Sequence, residues 1–275
     1  MLLLQKAQAV YTDALQAGHL TPIETRAEII YQRNIAFSIK IAAHWQQRKA
    51  ARHDTAQHAQ VQHNPFLPFE NALHVADIDP QHVCILNKFP VLQPHLLLIS
   101  RTFEAQVSPL TLQNFQAAQC LMQQLGQEGI LFYNAGPSAG ASQPHRHMQW
   151  IPTPAYAGIN PLEHADLLGP HFLAQPGLDA QALYLCYQQG LQQLDWQPGC
   201  AYNLLLSRDW LWMIPRRAAA WQHIAINSLG FIGSFFARNQ LEADQLREFG
   251  FIQALQHVVG WHRSPIRKLD HHPEQ

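Results

Sequence analysis

The stretch NAGPSAGASQPHRHMQWIP, residues 134–152, places a run of small residues directly before two histidines and a glutamine at alternating positions. On a β-strand, side chains two residues apart project to the same face. His145, His147 and Gln149 therefore project together if this segment is a strand, whereas a helix would separate them. The spacing predicts a strand with a polar, histidine-containing face.

The segment GPSAGAS, residues 136–142, precedes that motif and contains no bulky side chain. Glycine allows the backbone to approach a ligand closely, and exposed N–H groups of such a loop can form an anion-binding concavity. Together, the loop and the alternating motif indicate a phosphate site with an imidazole directed into it. A polar strip on an exposed strand is the alternative for an isolated pair of alternating histidines.

The residue types in the motif indicate group transfer at phosphorus. Imidazole is a competent nucleophile at neutral pH, because its unperturbed pKa of ~6.5 leaves one nitrogen unprotonated. The other nitrogen then donates its proton to a neighbouring acceptor, which fixes the tautomer. The amide of Gln149 can hydrogen-bond a phosphate oxygen but cannot act as an acid or a base. A phosphohistidine at this site would therefore have no built-in proton shuttle for water.

Composition excludes several classes of function. The chain has 275 residues, of which 47% are hydrophobic, so it can bury a sizeable core. Its 18 lysines and arginines nearly balance its 19 aspartates and glutamates, and the net charge is −1. No overall field attracts the chain to nucleic acid, so local groups have to hold an anionic ligand.

Neither a disulfide framework nor a metal site is indicated. The four cysteines are far apart and form no CxxC pair: Cys84, Cys120, Cys186 and Cys200. Histidines recur at a spacing of five in the loop-like segment 50–69, at His53, His58 and His63, where solvated side chains are the favoured interpretation over metal ligands. No apolar run approaches transmembrane length. We expect a cytoplasmic protein with no membrane partner.

Hydrophobic periodicity divides the chain into helices and strands. Residues 1–49 have apolar positions at helical spacing and predict two or three helices. Strands are predicted in 71–78, 82–100, 130–136, 200–209 and 210–217, with helices at about 111–126, 180–194 and 242–261. Trp210, Trp212 and Trp221 are expected in the core.

The segment SQPHRHMQ, residues 142–149, resembles the S-[NQ]-x-H-x-H-x-Q signature of the transferase branch of the histidine-triad superfamily. This branch contains galactose-1-phosphate uridylyltransferase and the diadenosine tetraphosphate phosphorylases, also called ATP adenylyltransferases. Segments that are similar to the phosphorylases follow in family order at 64–70, 86–101, 202–216 and 227–239. Ala141 stands where these phosphorylases often have serine, and Pro144 resembles the uridylyltransferase version.

The resemblance implies an α+β, HIT-like fold, similar to galactose-1-phosphate uridylyltransferase, with a mainly antiparallel sheet and flanking helices. It implies an N-terminal catalytic domain over residues 1–155, which carries the HxHxQ motif. A C-terminal domain similar to ATP adenylyltransferase would cover residues 156–275.

The resemblance also implies a role for each matching residue. His147 is the expected nucleophile that accepts the adenylyl group, and the backbone carbonyl of His145 is expected to orient its ring. Gln149 and Ser142 are expected to hold the α-phosphate. The other expected substrate-binding residues are Asn87, Lys88, Asn134, Gly140, Ala141 and Gln143. Arg208, Arg216 and Arg217 are further candidates for contacts with the distal phosphates. A nearly neutral chain that binds polyphosphate needs a cation beside the site, which independently favours Lys88.

The implied reaction is the reversible cleavage of diadenosine tetraphosphate by inorganic phosphate to ATP and ADP, through an adenylyl-histidine. We expect nucleotides (this substrate, ATP, ADP and AMP) and phosphate as ligands, and no tightly bound cofactor. A divalent cation, Mg²⁺ or Mn²⁺, is expected to arrive with the polyphosphate. The alternatives are a uridylyltransferase-like enzyme that acts on nucleotide sugars, which Pro144 favours, and a non-catalytic adenine-nucleotide-binding protein.

Overall fold

A computed structural model describes residues 2–43, 64–126, 128–154 and 158–260. The loop histidines His53, His58 and His63 lie outside these described residues. Within the described ranges, no helix is both long enough and apolar enough to span a bilayer.

The chain begins with helix α1 (Leu3–Gln16) and continues into an antiparallel hairpin of strands β1 (Thr25–Gln32) and β2 (Ile35–Ala42). The prediction of two or three helices in this region is therefore wrong beyond α1. The turn gives the physical reason, because Arg33 and Asn34 both have positive φ angles, of 51° and 63°. Two left-handed residues form the short connection whose twist matches that of paired strands.

The burial pattern of β2 explains why its segment was predicted to be helical. Ile35, Phe37, Ile39 and Ile41 alternate along the strand and are all buried in one hydrophobic cluster. The intervening residues are also buried, including Lys40. A strand that is buried on both faces lacks the clear alternation of a half-exposed strand, so period alone does not distinguish it from a helix.

The centre of the fold is an eight-stranded sheet in which every neighbouring pair is antiparallel. Its strands, in chain order, are β3 (His74–Asp77), β4 (His82–Leu86), β5 (Leu96–Ser100), β6 (Gly129–Ala135), β7 (His147–Pro152), β8 (Phe172–Ala174), β9 (Ala201–Leu206) and β10 (Leu211–Arg216). Their order across the sheet is β3-β4-β5-β7-β6-β9-β10-β8. Because β6 pairs with β9, a single sheet takes strands from both sides of residue 155.

Smaller strands complete the sheet structure. They are β11 (Ala220–Trp221), β12 (Ile224–Ala225) and β13 (Ser234–Ala237). The first two pair with each other, and β13 pairs in parallel with β2, so the N-terminal hairpin is joined to the C-terminal half of the chain.

The remaining helices flank the sheet. They are α2 (Leu112–Leu125), α3 (Pro161–His164), α4 (Ala180–Gln193), α5 (Gln240–Phe249) and α6 (Phe251–Val258). Two observations explain the bounds of α2. The backbone N–H of Thr111 donates to Asn114 Oδ1 at 2.9 Å, which satisfies a donor at the start of the helix. Gly126 ends the helix with φ 67°, a conformation that favours glycine. The predicted helices around residues 111–126 and 180–194 are confirmed.

Hydrophobic cores lie on both faces of the central sheet. One core includes residues of α1, α2 and α4, and the other includes residues of β2, β13 and α6. On β7, Met148 and Trp150 belong to the first core and Ile151 belongs to the second. His147 and Gln149 share the face of Ile151, so the motif faces the same side of the sheet as β2 and β13.

Candidate active site

The ring of His147 is held so that one nitrogen is available for chemistry. Its Nδ1–H donates to the backbone carbonyl of His145 at 2.9 Å, as the resemblance implied. Nε2 is then the unprotonated nitrogen of the neutral ring. Burial lowers the pKa of His147 to about 4, although the carbonyl contact acts in the opposite direction. The imidazole is therefore neutral, and nucleophilic at Nε2, across the neutral pH range.

His145 is the neighbouring histidine of the motif, and both of its ring nitrogens have partners. Its Nε2–H donates to the carbonyl of Ser100 at 2.9 Å, and its Nδ1 accepts from Asn64 Nδ2 at 2.9 Å. The side chain is fully buried, and burial lowers its pKa. Because both ring nitrogens are used in these contacts, neither is available to a substrate. The ring of His145 instead fixes the start of β7 and the backbone carbonyl of His145 that accepts from His147.

A buried glutamine that sequence reasoning missed braces the same strand. The backbone N–H of His147 donates to Gln106 Oε1 at 2.8 Å. Gln106 Nε2 donates to the carbonyls of Asn134 and His147, at 2.9 and 3.2 Å. This amide therefore ties the start of β7 to the end of β6. It lies in a loop without hydrophobic periodicity, so no sequence pattern indicated it.

The amide of Gln149 is oriented by a chain of hydrogen bonds. His95 Nε2–H donates to Gln149 Oε1 at 2.9 Å, and Asn87 Nδ2 lies 3.2 Å from His95 Nδ1. The backbone N–H of Phe89 donates to Asn87 Oδ1 at 3.0 Å, which identifies the oxygen of that amide. Burial lowers the pKa of His95 to about 4, so the ring is neutral and accepts from Asn87. Because its oxygen is used, Gln149 has its NH₂ group available for a phosphate oxygen.

His147 lines a cavity of about 470 Å³, which we call the histidine cavity. Its walls combine apolar residues of β4 and β5 with most of the expected substrate-binding residues: Asn87, Lys88, Ser142, Gln143 and Gln149. The ring of Phe66 lies 5.3 Å from that of His147, centroid to centroid. Lys88 is half-exposed and its Nζ contacts Glu70 Oε1 at 2.5 Å. The structure thus brings these expected residues together around His147.

The loop before the motif has fewer unpaired backbone N–H groups than we expected from its small residues. The N–H groups of Ala139, Gly140 and Ala141 donate to carbonyls within the loop, at 3.0, 2.9 and 3.2 Å. Among the described residues, the N–H groups of Ser138, Ser142 and Gln143 have no such partner, and of these three residues the histidine cavity is lined by Ser142 and Gln143. Any anion-binding concavity is therefore limited to these last two residues.

Gly140 packs closely against residues 226–227. Its φ is +89°, and a Cβ there would lie 2.8 Å from the Cβ of Asn227. The loop thus rests directly on residues 226–227, which is a second reason for glycine at this position, and the predicted approach of a phosphate stays a prediction. Ala141, in contrast to its expected role, lines neither this cavity nor the second one described below.

Asn134 connects the loop, β9 and the C-terminal half of the chain. Its Oδ1 accepts from Asn203 Nδ2 at 2.8 Å, from the backbone N–H of Ser228 at 3.1 Å and from Ser228 Oγ at 2.7 Å. It lines a second cavity, of about 310 Å³, which we call the lysine cavity because it contains Lys40. Asn87, Phe89, Ser142 and Gln149 line both cavities, so the two meet at the motif.

The arginine candidates lie outside both cavities. Arg216 is 1% exposed, and its guanidinium donates to Asn203 Oδ1 and to the carbonyls of Ala218 and Ile226, the latter two at 2.7 Å. Arg217 donates to the carbonyl of His257 at 2.6 Å, and Arg208 is exposed. In this arrangement Arg216 braces the core, so its suggested contact with distal phosphates is wrong.

The tryptophans belong to the core, as expected. Trp212 and Trp221 are buried in the second hydrophobic cluster, and Trp210 packs against it. Trp221 also stacks on Phe249, with ring centroids 4.3 Å apart. Adenine stacking is therefore not their role.

Comparison with protein families gives two matches that together cover most of the chain. The model of the Ap4A phosphorylase N-terminal domain matches residues 1–168, and that of the ATP adenylyltransferase C-terminal domain matches residues 161–260.

Curated relatives come from Saccharomyces cerevisiae. Diadenosine 5',5'''-P1,P4-tetraphosphate phosphorylase 2 is 25% identical over 233 residues, which cover 67% of this chain and 72% of the relative. Protein APA1 is 28% identical over 195 residues, which cover 56% of this chain and 61% of the relative. The chain thus spans about three fifths of the length of the latter.

Solved structures show the same fold. The crystal structure of yeast Ap4A phosphorylase Apa2 in complex with Ap4A aligns with a TM-score of 0.78, at 23% identity, over 94% of this chain and 97% of that one. The structure of the same enzyme in complex with AMP aligns with a TM-score of 0.75, at 24% identity, over 96% of this chain and 99% of that one. The expected HIT-like fold is confirmed.

Proposed function

The chain belongs to the Ap4A phosphorylase family, and from that premise we propose that it is a nucleotidyltransferase that cleaves diadenosine tetraphosphate (Ap4A) with inorganic phosphate. The products are ATP and ADP, and the reaction is reversible. The observation that carries this proposal is the hydrogen bond from His147 Nδ1 to the carbonyl of His145. It leaves Nε2 unprotonated on a cavity lined by phosphate-binding groups.

The reaction proceeds in two displacements at one phosphorus. In the first, His147 Nε2 forms a bond to the α-phosphorus, and the bond from that phosphorus to the bridging oxygen breaks. ATP leaves with the electron pair. In the second, an oxygen of inorganic phosphate attacks the same phosphorus, the P–N bond breaks and its electron pair returns to Nε2. ADP is the second product, and the neutral ring is restored.

The two cavities suit these displacements. In-line displacement places the attacking atom and the leaving oxygen on opposite sides of the phosphorus. His147 lines only the histidine cavity, and the lysine cavity shares Ser142 and Gln149 with it. The adenosine and the α-phosphate occupy the histidine cavity, with apolar contacts from Phe66 and Leu97. The leaving polyphosphate extends into the lysine cavity.

Gln149 and the loop hold the transferred group. The free NH₂ of Gln149 donates to a non-bridging α-phosphate oxygen, and Ser142 donates from the other wall. Asn87 and Lys88 lie along the nucleotide. Binding of the polyphosphate draws Lys88 from Glu70, because an exposed ion pair of this kind contributes only about 0–1 kcal/mol.

A divalent cation, Mg²⁺ or Mn²⁺, accompanies the polyphosphate. Such a hard cation prefers oxygen ligands, which non-bridging oxygens of the polyphosphate and water would supply. Its role is to neutralise charge on the leaving ATP. Within the described residues no cluster of three histidine, cysteine or carboxylate side chains is placed to hold a metal ion.

The choice of phosphate over water as acceptor follows from the third residue of the motif. Phosphate is already ionised at neutral pH, whereas water has to lose a proton as it attacks. The amide of Gln149 accepts no such proton. The relatives support this substrate, since a phosphorylase of diadenosine tetraphosphate is 25% identical to this chain.

The test is to incubate the protein with Ap4A, with and without inorganic phosphate, and to separate the nucleotides. We expect ATP and ADP in equal amounts when phosphate is present, and little AMP when it is absent. Steady release of AMP at a rate that phosphate does not change would identify a hydrolase instead. Binding of Ap4A without turnover would identify the non-catalytic nucleotide-binding protein.

A further inference from the structure

Lys40 is a buried cation on a strand that is otherwise uncharged. It lies on β2 and is 8% exposed, and its Nζ donates to Ser234 Oγ at 2.9 Å. In the part of the chain that the structure describes, it forms no ion pair with a carboxylate. Burial lowers its pKa, and no nearby charge offsets that effect.

A buried ammonium group with only a hydroxyl partner is unfavourable for the free protein. Removing a charge from water has a large desolvation cost, which a neutral hydrogen-bond acceptor offsets only in part. The ammonium has three donors, and Ser234 takes one of them. An anion that enters the lysine cavity would provide the missing counter-charge and would raise the pKa of Lys40 again.

The surroundings of Lys40 are suited to an oxyanion. Asn227 and Asn134 line the same cavity, and the three acceptor contacts of Asn134 Oδ1 leave its NH₂ as the available group. Apolar residues, including Phe235 and Ile226, form much of the remaining wall. An apolar wall lowers the local dielectric, which strengthens the attraction between an ammonium and an anion.

The position of the cavity relates it to the reaction. Ser142 and Gln149, which are expected to hold the α-phosphate, also line the lysine cavity. A phosphate group that continues beyond the α-phosphate, away from His147, therefore enters the space in front of Lys40. Both displacements need such a group there: the leaving polyphosphate in the first and the attacking phosphate in the second.

We infer that Lys40, Ser234, Asn134 and Asn227 form a phosphate oxyanion subsite across the α-phosphate from His147. The inference rests on the proposed function and extends it by assigning residues to the side of the site that the histidine motif does not reach. Lys40 stays protonated and exchanges no proton with the substrate. The phosphate comes from either of two sources, the distal phosphates of the ATP portion or free orthophosphate.

The variant Lys40→Met tests this subsite, because it keeps the length of the side chain and removes the charge. We expect Lys40→Met to bind ATP about 10- to 100-fold more weakly than the wild type, by calorimetry, the range for loss of a charge-assisted hydrogen bond. AMP, which has no distal phosphates, should bind with nearly unchanged affinity. Lys6→Met, in an exposed position on α1, is the matched control and should bind both nucleotides like the wild type.

Two further measurements separate the sources of the phosphate. A raised KM for orthophosphate in phosphorolysis, at unchanged ATP affinity, assigns the subsite to the acceptor. Weaker ATP binding at unchanged KM for orthophosphate assigns it to the leaving group, and both effects together assign it to both. Ser234→Ala should produce the same effects in weaker form, and it keeps the test valid if Lys40→Met does not fold.

The free energy of unfolding of Lys40→Met gives a readout that is independent of nucleotide binding. If the fold requires Lys40, the Lys40→Met variant should be less stable than the wild type. If the ammonium serves only to bind a ligand, the variant should be as stable as the wild type or more stable. The inference is overturned if Lys40→Met and Ser234→Ala keep wild-type affinity for ATP and wild-type KM for orthophosphate. It is also overturned if AMP binding falls as much as ATP binding. Calorimetry requires no turnover, so it decides the subsite even if the wild type does not cleave Ap4A.

Discussion

At the scale of the single residue, the dependence of Gln149 on His95 makes a prediction. His95 contacts the amide oxygen and so leaves the NH₂ group of Gln149 for the proposed contact with phosphate. We expect His95→Ala to lower kcat about 10- to 100-fold, the typical effect of losing a group that orients a site residue. KM for Ap4A should change less, because the apolar and loop contacts to the nucleotide remain.

His95→Gln is the matched control, since its amide nitrogen replaces the donor toward Gln149. Steady-state kinetics should show most of the kcat restored in that variant. Equal losses in the alanine and glutamine variants would show that the ring supports the fold and does not orient the amide.

The site residues that spacing alone identified are close together in the chain, whereas Asn87 and Lys88 were identified from the family resemblance. His145, His147 and Gln149 belong to one short motif, and the alternation of a strand predicts their common face. His95, Gln106 and Lys40 were missed, because each reaches the site from another element, and a contact between distant segments leaves no spacing to recognise. One feature of the sequence could have indicated Lys40, because it is the charged residue in the otherwise uncharged segment of β2.

At the scale of the element, the loop over residues 136–142 depends on its packing against residues 226–227. We expect Gly140→Ala to destabilise the protein and to weaken nucleotide binding, because the added Cβ would lie 2.8 Å from the Cβ of Asn227 and displace it. Gly199→Ala is the control for backbone strain alone. Its φ of +93° is similar, and nothing lies within 4 Å of its added Cβ.

Chemical denaturation of both variants separates the two effects. The left-handed conformation costs a non-glycine residue about 1–2 kcal/mol, and Gly140→Ala should lose more than that amount. If both variants lose the same free energy of unfolding and both bind ATP normally, the contact with Asn227 is not important.

Elements of the central sheet were easier to predict than the N-terminal hairpin. Strands β4 and β5 have short apolar runs bounded by turn residues, and α2 has an apolar face followed by Gly126. The hairpin depends on the left-handed turn at Arg33 and Asn34 and on pairing of β2 with β13, almost two hundred residues later. Pairing over that separation has no local signature in the sequence.

At the scale of the whole molecule, neutral histidines link stability to pH. Burial lowers the pKa values of His95 and His147 to about 4, below the ~6.5 of an exposed histidine. Between these values the unfolded chain binds protons that the folded protein does not, so the free energy of unfolding falls as the pH is lowered. From pH 7.5 to 5 we expect a loss of about 2 kcal/mol for each such histidine.

Denaturation of the wild type and of His147→Asn at both pH values measures this linkage. The variant should lose about 2 kcal/mol less than the wild type on acidification, because one depressed pKa is removed. Identical pH dependence in the two proteins would show that folding does not lower the pKa of His147.

His147 is proposed to carry the adenylyl group from Ap4A to phosphate, and direct detection of that intermediate is the sharpest test. The protein is mixed with Ap4A in phosphate-free buffer, quenched in alkali to preserve a P–N bond, and mapped by peptide mass spectrometry. We predict a single adenylyl group, on His147, which disappears with release of ADP when phosphate is added before the quench. Adenylyl on another side chain, or release of ATP with no adenylyl bound to the protein, would contradict the account.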